Sequence, residues 1–230
     1  RDLIGFLEER NPGPVIGVGH SIGGVATLFA AVRRPDLFAR VVLLDPVLLL
    51  RRHILAIRFL RSVGKKGRTP LARRARRRRN GWSSRQEALD AFRGKSLFRD
   101  WEEPFLRAYV TYGLKPNGEG GVELVCPPEA EARGFESYPV DIWSWPPRLR
   151  VPALIVRGDR SEALPLSSYE RFLRICPVAR GVTLPDTGHC IPMERPAETL
   201  RLIRELVPPE DRPDCRRSDG PSEQRSRFIR

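Results

Sequence analysis

Ser21 is the residue in this chain best placed to form a covalent bond with a substrate. It sits in Gly19-His20-Ser21-Ile22-Gly23, between the apolar run Val15 to Val18 and a helix-like run from Val25 to Val32. A Gly-x-Ser-x-Gly at a strand-to-helix junction has a mechanical meaning. Small residues on both sides let the backbone turn sharply and lift one hydroxyl clear of the sheet, at a helix N-terminus. A serine hydroxyl is a poor nucleophile until a base takes its proton, and an imidazole suits that task near neutral pH. His189, in Asp186-Thr187-Gly188-His189, follows a predicted strand; His20 belongs to the turn itself, and His53 lies in a segment that interrupts the strand-helix rhythm. Two other readings compete. In one, Gly17-Val18-Gly19 opens a dinucleotide-binding turn with Asp45 on the ribose, but that fingerprint needs a glycine where Ile22 stands. In the other, a glycine-rich turn carries an incidental serine.

The elements that would position these groups follow from hydrophobic patterning. Arg1 to Arg10 reads as an amphipathic helix, with Leu3, Phe6 and Leu7 on one face, and leads through Asn11-Pro12-Gly13-Pro14 into the strand before Ser21. The small apolar helix from Val25 ends at Arg33-Arg34-Pro35-Asp36, and Arg40 to Asp45 is a continuous apolar strand of the buried parallel type. Residues 46–150 break that rhythm. They predict helices over Leu48 to Val63, Ser84 to Arg93 and Pro104 to Leu114, then a glycine-rich turn at Asn117 to Gly121 and a polar-apolar piece from Val122 to Cys126. The sheet resumes at Val151 to Arg157. A helix over Ser167 to Ile175, a short strand at Gly181 to Leu184, the His189 loop and a closing helix over Ala197 to Val207 follow. From 208 to 230 the chain is charged and poor in apolar residues, the composition of a disordered tail.

Gly19-His20-Ser21-Ile22-Gly23-Gly24, the strands Val41-Val42-Leu43-Leu44-Asp45-Pro46 and Ala153-Leu154-Ile155-Val156-Arg157-Gly158, and the late Gly188-His189 resemble the α/β-hydrolase superfamily over residues 1–207. The resemblance implies an α/β fold, a parallel sheet flanked by helices, with 1–45 and 151–207 as core, 46–150 as a mainly helical lid and 208–230 as the tail. It also implies about four strands before the nucleophile strand, so the chain is expected to be the C-terminal part of a longer protein. The oxyanion hole would use the Ile22 backbone N–H and a second N–H from an upstream loop, whose loss typically costs about 10²- to 10³-fold in rate, so the chain alone is expected to be poorly active.

The triad acid is less legible. Family members commonly carry it a few residues after a strand-ending glycine, here in Gly158-Asp159-Arg160-Ser161-Glu162, where the third residue past the glycine is Ser161. Glu162 serves if the loop is one residue longer, and Asp159 is the next choice. Some relatives instead place the acid at the end of the strand after the nucleophile helix, which is Asp45. By resemblance, Ser21 would attack, His189 would move the proton, Asp45 or Glu162 would orient the imidazole, and the substrate would be a small carboxylic ester, thioester or lactone with an apolar acyl part. A carbon-carbon bond hydrolase, an acyltransferase or a non-catalytic binding protein could use the same scaffold. No metal or organic cofactor is implied.

A net charge of +13 comes almost wholly from arginine, densest in Arg73-Arg74-Ala75-Arg76-Arg77-Arg78-Arg79. With no aromatic platform or nucleic-acid motif beside it, this run predicts a solvated helix face or a lid-to-core salt-bridge surface rather than a nucleic-acid site. Trp82, Trp101, Trp143 and Trp145 are expected mostly to pack the lid, with one or two lining an acyl pocket. Cys126, Cys176, Cys190 and Cys215 lack metal or disulfide spacing, which predicts free thiols and a cytoplasmic setting. No stretch reaches the length of a membrane span. Oligomeric state leaves no signature in the pattern.

Overall fold

The computed structural model describes residues 2–10, 13–65 and 69–206. The expected disordered tail lies outside the described residues. In chain order the elements are α1 (Asp2–Arg10), β1 (Val15–His20), α2 (Ile22–Arg33), β2 (Phe38–Leu44), α3 (Arg51–Ser62), α4 (Pro70–Arg76), β3 (Gly81–Trp82), α5 (Arg85–Arg93), α6 (Glu103–Tyr112), β4 (Leu114–Pro116), β5 (Val122–Leu124), α7 (Pro128–Glu136), β6 (Ala153–Gly158), α8 (Leu166–Ile175), β7 (Ala179–Leu184), α9 (Ile191–Glu194) and α10 (Pro196–Leu206).

β1, β2, β6 and β7 form a parallel sheet in that order. Val41 to Leu44 in β2 and Ala153 to Gly158 in β6 are buried, as expected of central parallel strands covered on both faces. β2 therefore lies between the nucleophile strand and β6, although some 110 residues of sequence, roughly the length of an ordinary domain, separate it from β6. One face of the sheet packs with α2 and α8 into a core around Leu28, Val41, Leu43, Ile155 and Phe172. The other face packs Val42, Leu44, Leu154 and Val156 against Ile191, Leu202 and Leu206.

The segment between β2 and β6 is not wholly helical. β3, β5 and β4 form a small antiparallel sheet; the polar-apolar piece from Val122 supplies β5, and β4 begins at Leu114, where the expected helix ends. Trp82, Phe92, Phe98, Leu106 and Leu124 build a separate core there. Tyr138, Ile142, Trp145 and Leu149, by contrast, pack into the core of the main sheet. The arginine run is partly α4, which meets α7 through Ala72, Ala75 and Ala132. Arg76 pairs with Glu129 at 2.8 Å and Glu136 at 2.6 Å, Arg78 with Glu131 at 2.9 Å, and Arg79 with Glu87 at 2.5 Å. These pairs stay within the segment between β2 and β6 instead of joining it to the core, and solvent screening leaves such exposed pairs little net contribution.

The turn at Ser21 depends on close backbone approach. A Cβ on Gly19 would lie 2.5 Å from the Gly23 carbonyl oxygen and 2.6 Å from Thr27 Oγ1, and one on Gly24 would lie 3.1 Å from Pro46 Cβ. A Cβ on Gly23 would meet nothing within 4 Å among the described residues. The sharp bend thus requires Gly19 and constrains Gly24, while the last glycine of the pentapeptide is sterically open. Gly19→Ala is expected to destabilise the protein by about 1–3 kcal/mol through overpacking, and Gly23→Ala by much less. Chemical denaturation of the two variants side by side checks this.

Candidate active site

The site lies at the carboxyl ends of the parallel strands, where open α/β sheets bind ligands. His20 and Leu44 are paired in register, so the next residues, Ser21 and Asp45, leave two adjacent strand ends side by side. Both adopt left-handed backbone, with φ of 56° at Ser21 and 42° at Asp45. Asp186, with φ of 49°, starts the turn from β7 toward His189; these are the non-glycine residues with positive φ among the described residues. Such conformations cost about 1–3 kcal/mol each and persist where surrounding contacts hold them. Here the Ser21 N–H donates to the Leu44 carbonyl at 3.0 Å, and the Asp45 N–H to the Val156 carbonyl at 2.7 Å.

The side chains form a continuous relay. His189 Nε2 lies 2.8 Å from Ser21 Oγ, and His189 Nδ1 lies 2.7 Å from Asp45 Oδ2. Asp45 is 0% exposed. Its Oδ1 accepts the Gly158 N–H at 3.2 Å, and its Oδ2 also accepts the Ser161 hydroxyl. A carboxylate on Nδ1 fixes the tautomer in which Nε2 is free to accept the serine proton. The Ile22 N–H, in the first turn of α2, is one of the amides that a helix cannot satisfy internally.

Of the three carboxylates considered from sequence, the structure brings only Asp45 to the imidazole. Glu162 is exposed on the loop after β6. Asp159 is also exposed, and its carboxylate accepts the Thr187 N–H at 3.1 Å, which draws its pKa below the ordinary value and makes it a brace of the His189 loop. Both alternatives therefore fail as imidazole partners for a spatial reason: the loop after Gly158 directs Ser161 inward and its acidic neighbours outward.

Three further residues hold this arrangement. Ser161 accepts the Ala163 N–H at 3.2 Å while donating to Asp45, which orients its hydroxyl. Glu194, buried on α9, accepts the Gly188 N–H at 2.6 Å and the Cys190 N–H at 2.9 Å, so one carboxylate grips the backbone on both sides of His189. His20 Nε2 lies 2.8 Å from the His189 carbonyl oxygen, which can only accept, so that nitrogen carries the proton. Ser161 had a signal in the sequence, because it occupies the place where an acid was sought. Glu194 had none beyond its position five residues after His189. Cys126, Cys176 and Cys190 are free thiols, and Cys190, next to His189, is pushed up to about 11 chiefly by burial.

A parallel sheet with a serine on a strained strand-to-helix turn, backed by a histidine and a buried aspartate from later strand ends, defines an α/β-hydrolase architecture. The sequence profile of the Alpha/beta hydrolase family matches residues 1–202, and the chain belongs to that family. It is 26% identical over 214 residues to lipase LipV of Mycobacterium tuberculosis, covering 90% of this chain and 74% of that protein. Among solved structures, E-2-(acetamidomethylene)succinate hydrolase superposes with a TM-score of 0.68 at 22% identity, over 89% of this chain and 70% of the other. A thermophilic esterase from Thermogutta terrifontis superposes with a TM-score of 0.57 at 25% identity, over 89% and 68%.

Asp45→Asn should lower kcat about 10⁴-fold, because the amide can hold the wrong imidazole tautomer and presents N–H groups to the Gly158 and Ser161 donors. Glu162→Gln, measured alongside, should leave kcat unchanged. His20 yields a second expectation. Burial, opposed by its bond to the His189 carbonyl and reinforced by the nearby His189, lowers its pKa below 6.5. The unfolded chain then takes up the proton first as the pH falls. The stability contribution of neutral His20 is complete above pH 6.5 and is lost progressively below it. Tm measured against pH should fall less steeply below 6.5 in His20→Gln than in the wild type.

Proposed function

We propose that this protein is a serine hydrolase that cleaves a carboxylic ester, thioester or lactone through an acyl-enzyme on Ser21. The observation that carries the reading is the unbroken relay from Ser21 Oγ through both ring nitrogens of His189 to the buried Asp45 carboxylate, with spacings of 2.8 and 2.7 Å. The lipase and esterase among the relatives give the same direction. Ser21 Oγ adds to the carbonyl carbon as its proton passes to His189 Nε2, and the resulting oxyanion faces the Ile22 N–H. Collapse of the adduct expels the alkoxide or thiolate, which takes the proton from His189. Water then attacks the acyl-enzyme with His189 again as base, releasing the acid and restoring Ser21. Asp45 stabilises the imidazolium in both halves and stays ionised throughout.

The substrate is proposed to be a small molecule with an apolar acyl part. The protein should label with a fluorophosphonate probe and hydrolyse p-nitrophenyl esters, slowly where the Ile22 N–H is the sole oxyanion donor, and Ser21→Ala should abolish both. Labelling that survives in Ser21→Ala, or no labelling of the wild-type protein, would refute the assignment. A panel of esters, thioesters and lactones of increasing acyl length then ranks the substrate classes by kcat/KM.

A further inference from the structure

The outward face of α3 has no role in the relay, and its composition is unusual for a water-exposed surface. Residues 51–65 contain four arginines and one lysine and no acidic residue. Ile54, Ile57 and Leu60 turn toward the protein, whereas Leu55 and Phe59, one helical turn apart, are 63% and 66% exposed. Arg51, Arg52 and Arg58 share that outer face, and none of them has an ion-pair partner among the described residues.

A shallow groove runs beside the helix, lined by Arg51, Arg58, Arg171, Trp143 and the single acid Asp141. The Arg171 guanidinium stacks 4.3 Å from the centre of the Trp143 ring, and its pKa is lowered by partial burial and by the fields of Arg51 and Arg174. Cations that already repel one another gain from an anion placed between them. The base of the helix is fixed. Five residues link Asp45 to α3, and across them Tyr138 Oη donates to the Val47 carbonyl at 2.8 Å and Trp143 Nε1 to the Leu49 carbonyl at 2.9 Å.

We propose that the outer face of α3 and the adjoining arginine groove form a docking surface for an anionic lipid bilayer. Leu55 and Phe59 would enter the boundary between headgroups and acyl chains. Arg51, Arg52 and Arg58 would stay at headgroup level, and the groove with Arg171 would receive a lipid phosphate. This is the pattern of an interfacial helix: an exposed apolar stripe flanked by basic side chains whose stems reach past the apolar residues to the headgroups. The outward Leu55 and Phe59 favour a bilayer over a nucleic acid, which would take the arginines and leave the apolar pair wet. Docking is independent of the acyl chemistry of Ser21.

The test is co-sedimentation of the purified protein with vesicles of phosphatidylcholine containing phosphatidylglycerol, compared with phosphatidylcholine alone, at low and high salt. Binding is expected only to the anionic vesicles, and to weaken with salt. Arg51→Gln and Arg58→Gln should each weaken it about fivefold at low salt, and Leu55→Ser/Phe59→Ser at least about tenfold. Ser21→Ala should bind as the wild type does. Thermal melts of the variants confirm that each is folded, since all the substitutions are on exposed positions. Absence of vesicle binding, equal binding to neutral vesicles, or binding indifferent to both sets of substitutions would overturn the proposal. So would a wild-type dimer that Phe59→Ser converts to a monomer, because the apolar face would then mate with a second copy. Duplex DNA binding that survives Leu55→Ser/Phe59→Ser, without vesicle binding, would overturn it in favour of nucleic acid.

Discussion

A carboxylate withdrawn from water sets the geometry of this molecule. Removing an ionised group from solvent costs several kcal/mol unless charge partners and hydrogen bonds replace its hydration. Asp45 meets that requirement with donors from three places: the Gly158 amide at the end of β6, the Ser161 hydroxyl in the loop beyond it, and the His189 ring from the loop after β7. If any one of the three moved away, the fully buried carboxylate would be left short of a donor, so the three strand ends are mutually constrained. The strained turn at Ser21 is held within the same frame, since its amide bonds to Leu44, the residue before Asp45. The alignment of hydroxyl and imidazole is thus a consequence of satisfying one buried charge.

A second acid works at one remove. Glu194 makes no contact with the Asp45 side chain, yet its two oxygens fix the amides of Gly188 and Cys190 and leave the ring between them to swing only about its own side-chain torsions. His20 adds a third restraint on the same residue through the His189 carbonyl. Backbone clamps of this kind set where the Cα of the base sits, while Asp45 sets the ring orientation. Separate control of position and orientation holds the His189 ring with its Nε2 2.8 Å from Ser21 Oγ.

The legible parts of the sequence were those in which one short window contains the whole cause. Gly19 to Gly24 announced the turn because its glycines and flanking apolar runs are contiguous, and β2 and β6 because buried parallel strands are unbroken apolar runs. The acid could not be chosen in this way. Asp45, Asp159 and Glu162 are all near strand ends, and the strand order β1-β2-β6-β7 decides which faces the imidazole, a fact no local window contains. β3, β4 and β5, with two or three residues each, are too short to display an alternating pattern. Helix α7 was hidden by its charged composition, since only Ala132 of it is buried, against Ala72 and Ala75 of α4, and the remaining attraction is between arginines and glutamates brought together by folding. The alternate acid sites failed for the same reason that Ser161 was overlooked: inward and outward directions along a loop follow from what the loop packs on.

The segment between β2 and β6 resembles a flap in sequence, but its attachments argue for a fixed roof. Its first residues are tied down by Tyr138 and Trp143, and Arg61 of α3 donates to the Tyr138 carbonyl at 2.6 Å. Its middle is fastened to the loops after β6 and β7 directly: the Glu102 N–H donates to the Met193 carbonyl at 3.0 Å, and Asp100 pairs at 3.2 Å with Arg160, whose guanidinium also donates to the Asp186 carbonyl. The first set of bonds stiffens the segment internally, and a rigid swing would have to break the Glu102 bond, worth about 0.5–1.5 kcal/mol net, and the Asp100–Arg160 pair while pulling Tyr138, Ile142 and Trp145 out of the main core. The apolar burial of those three side chains alone, at about 1.5–3 kcal/mol for a large residue, makes that motion far more costly than a local rearrangement of α3, which buries only Ile54.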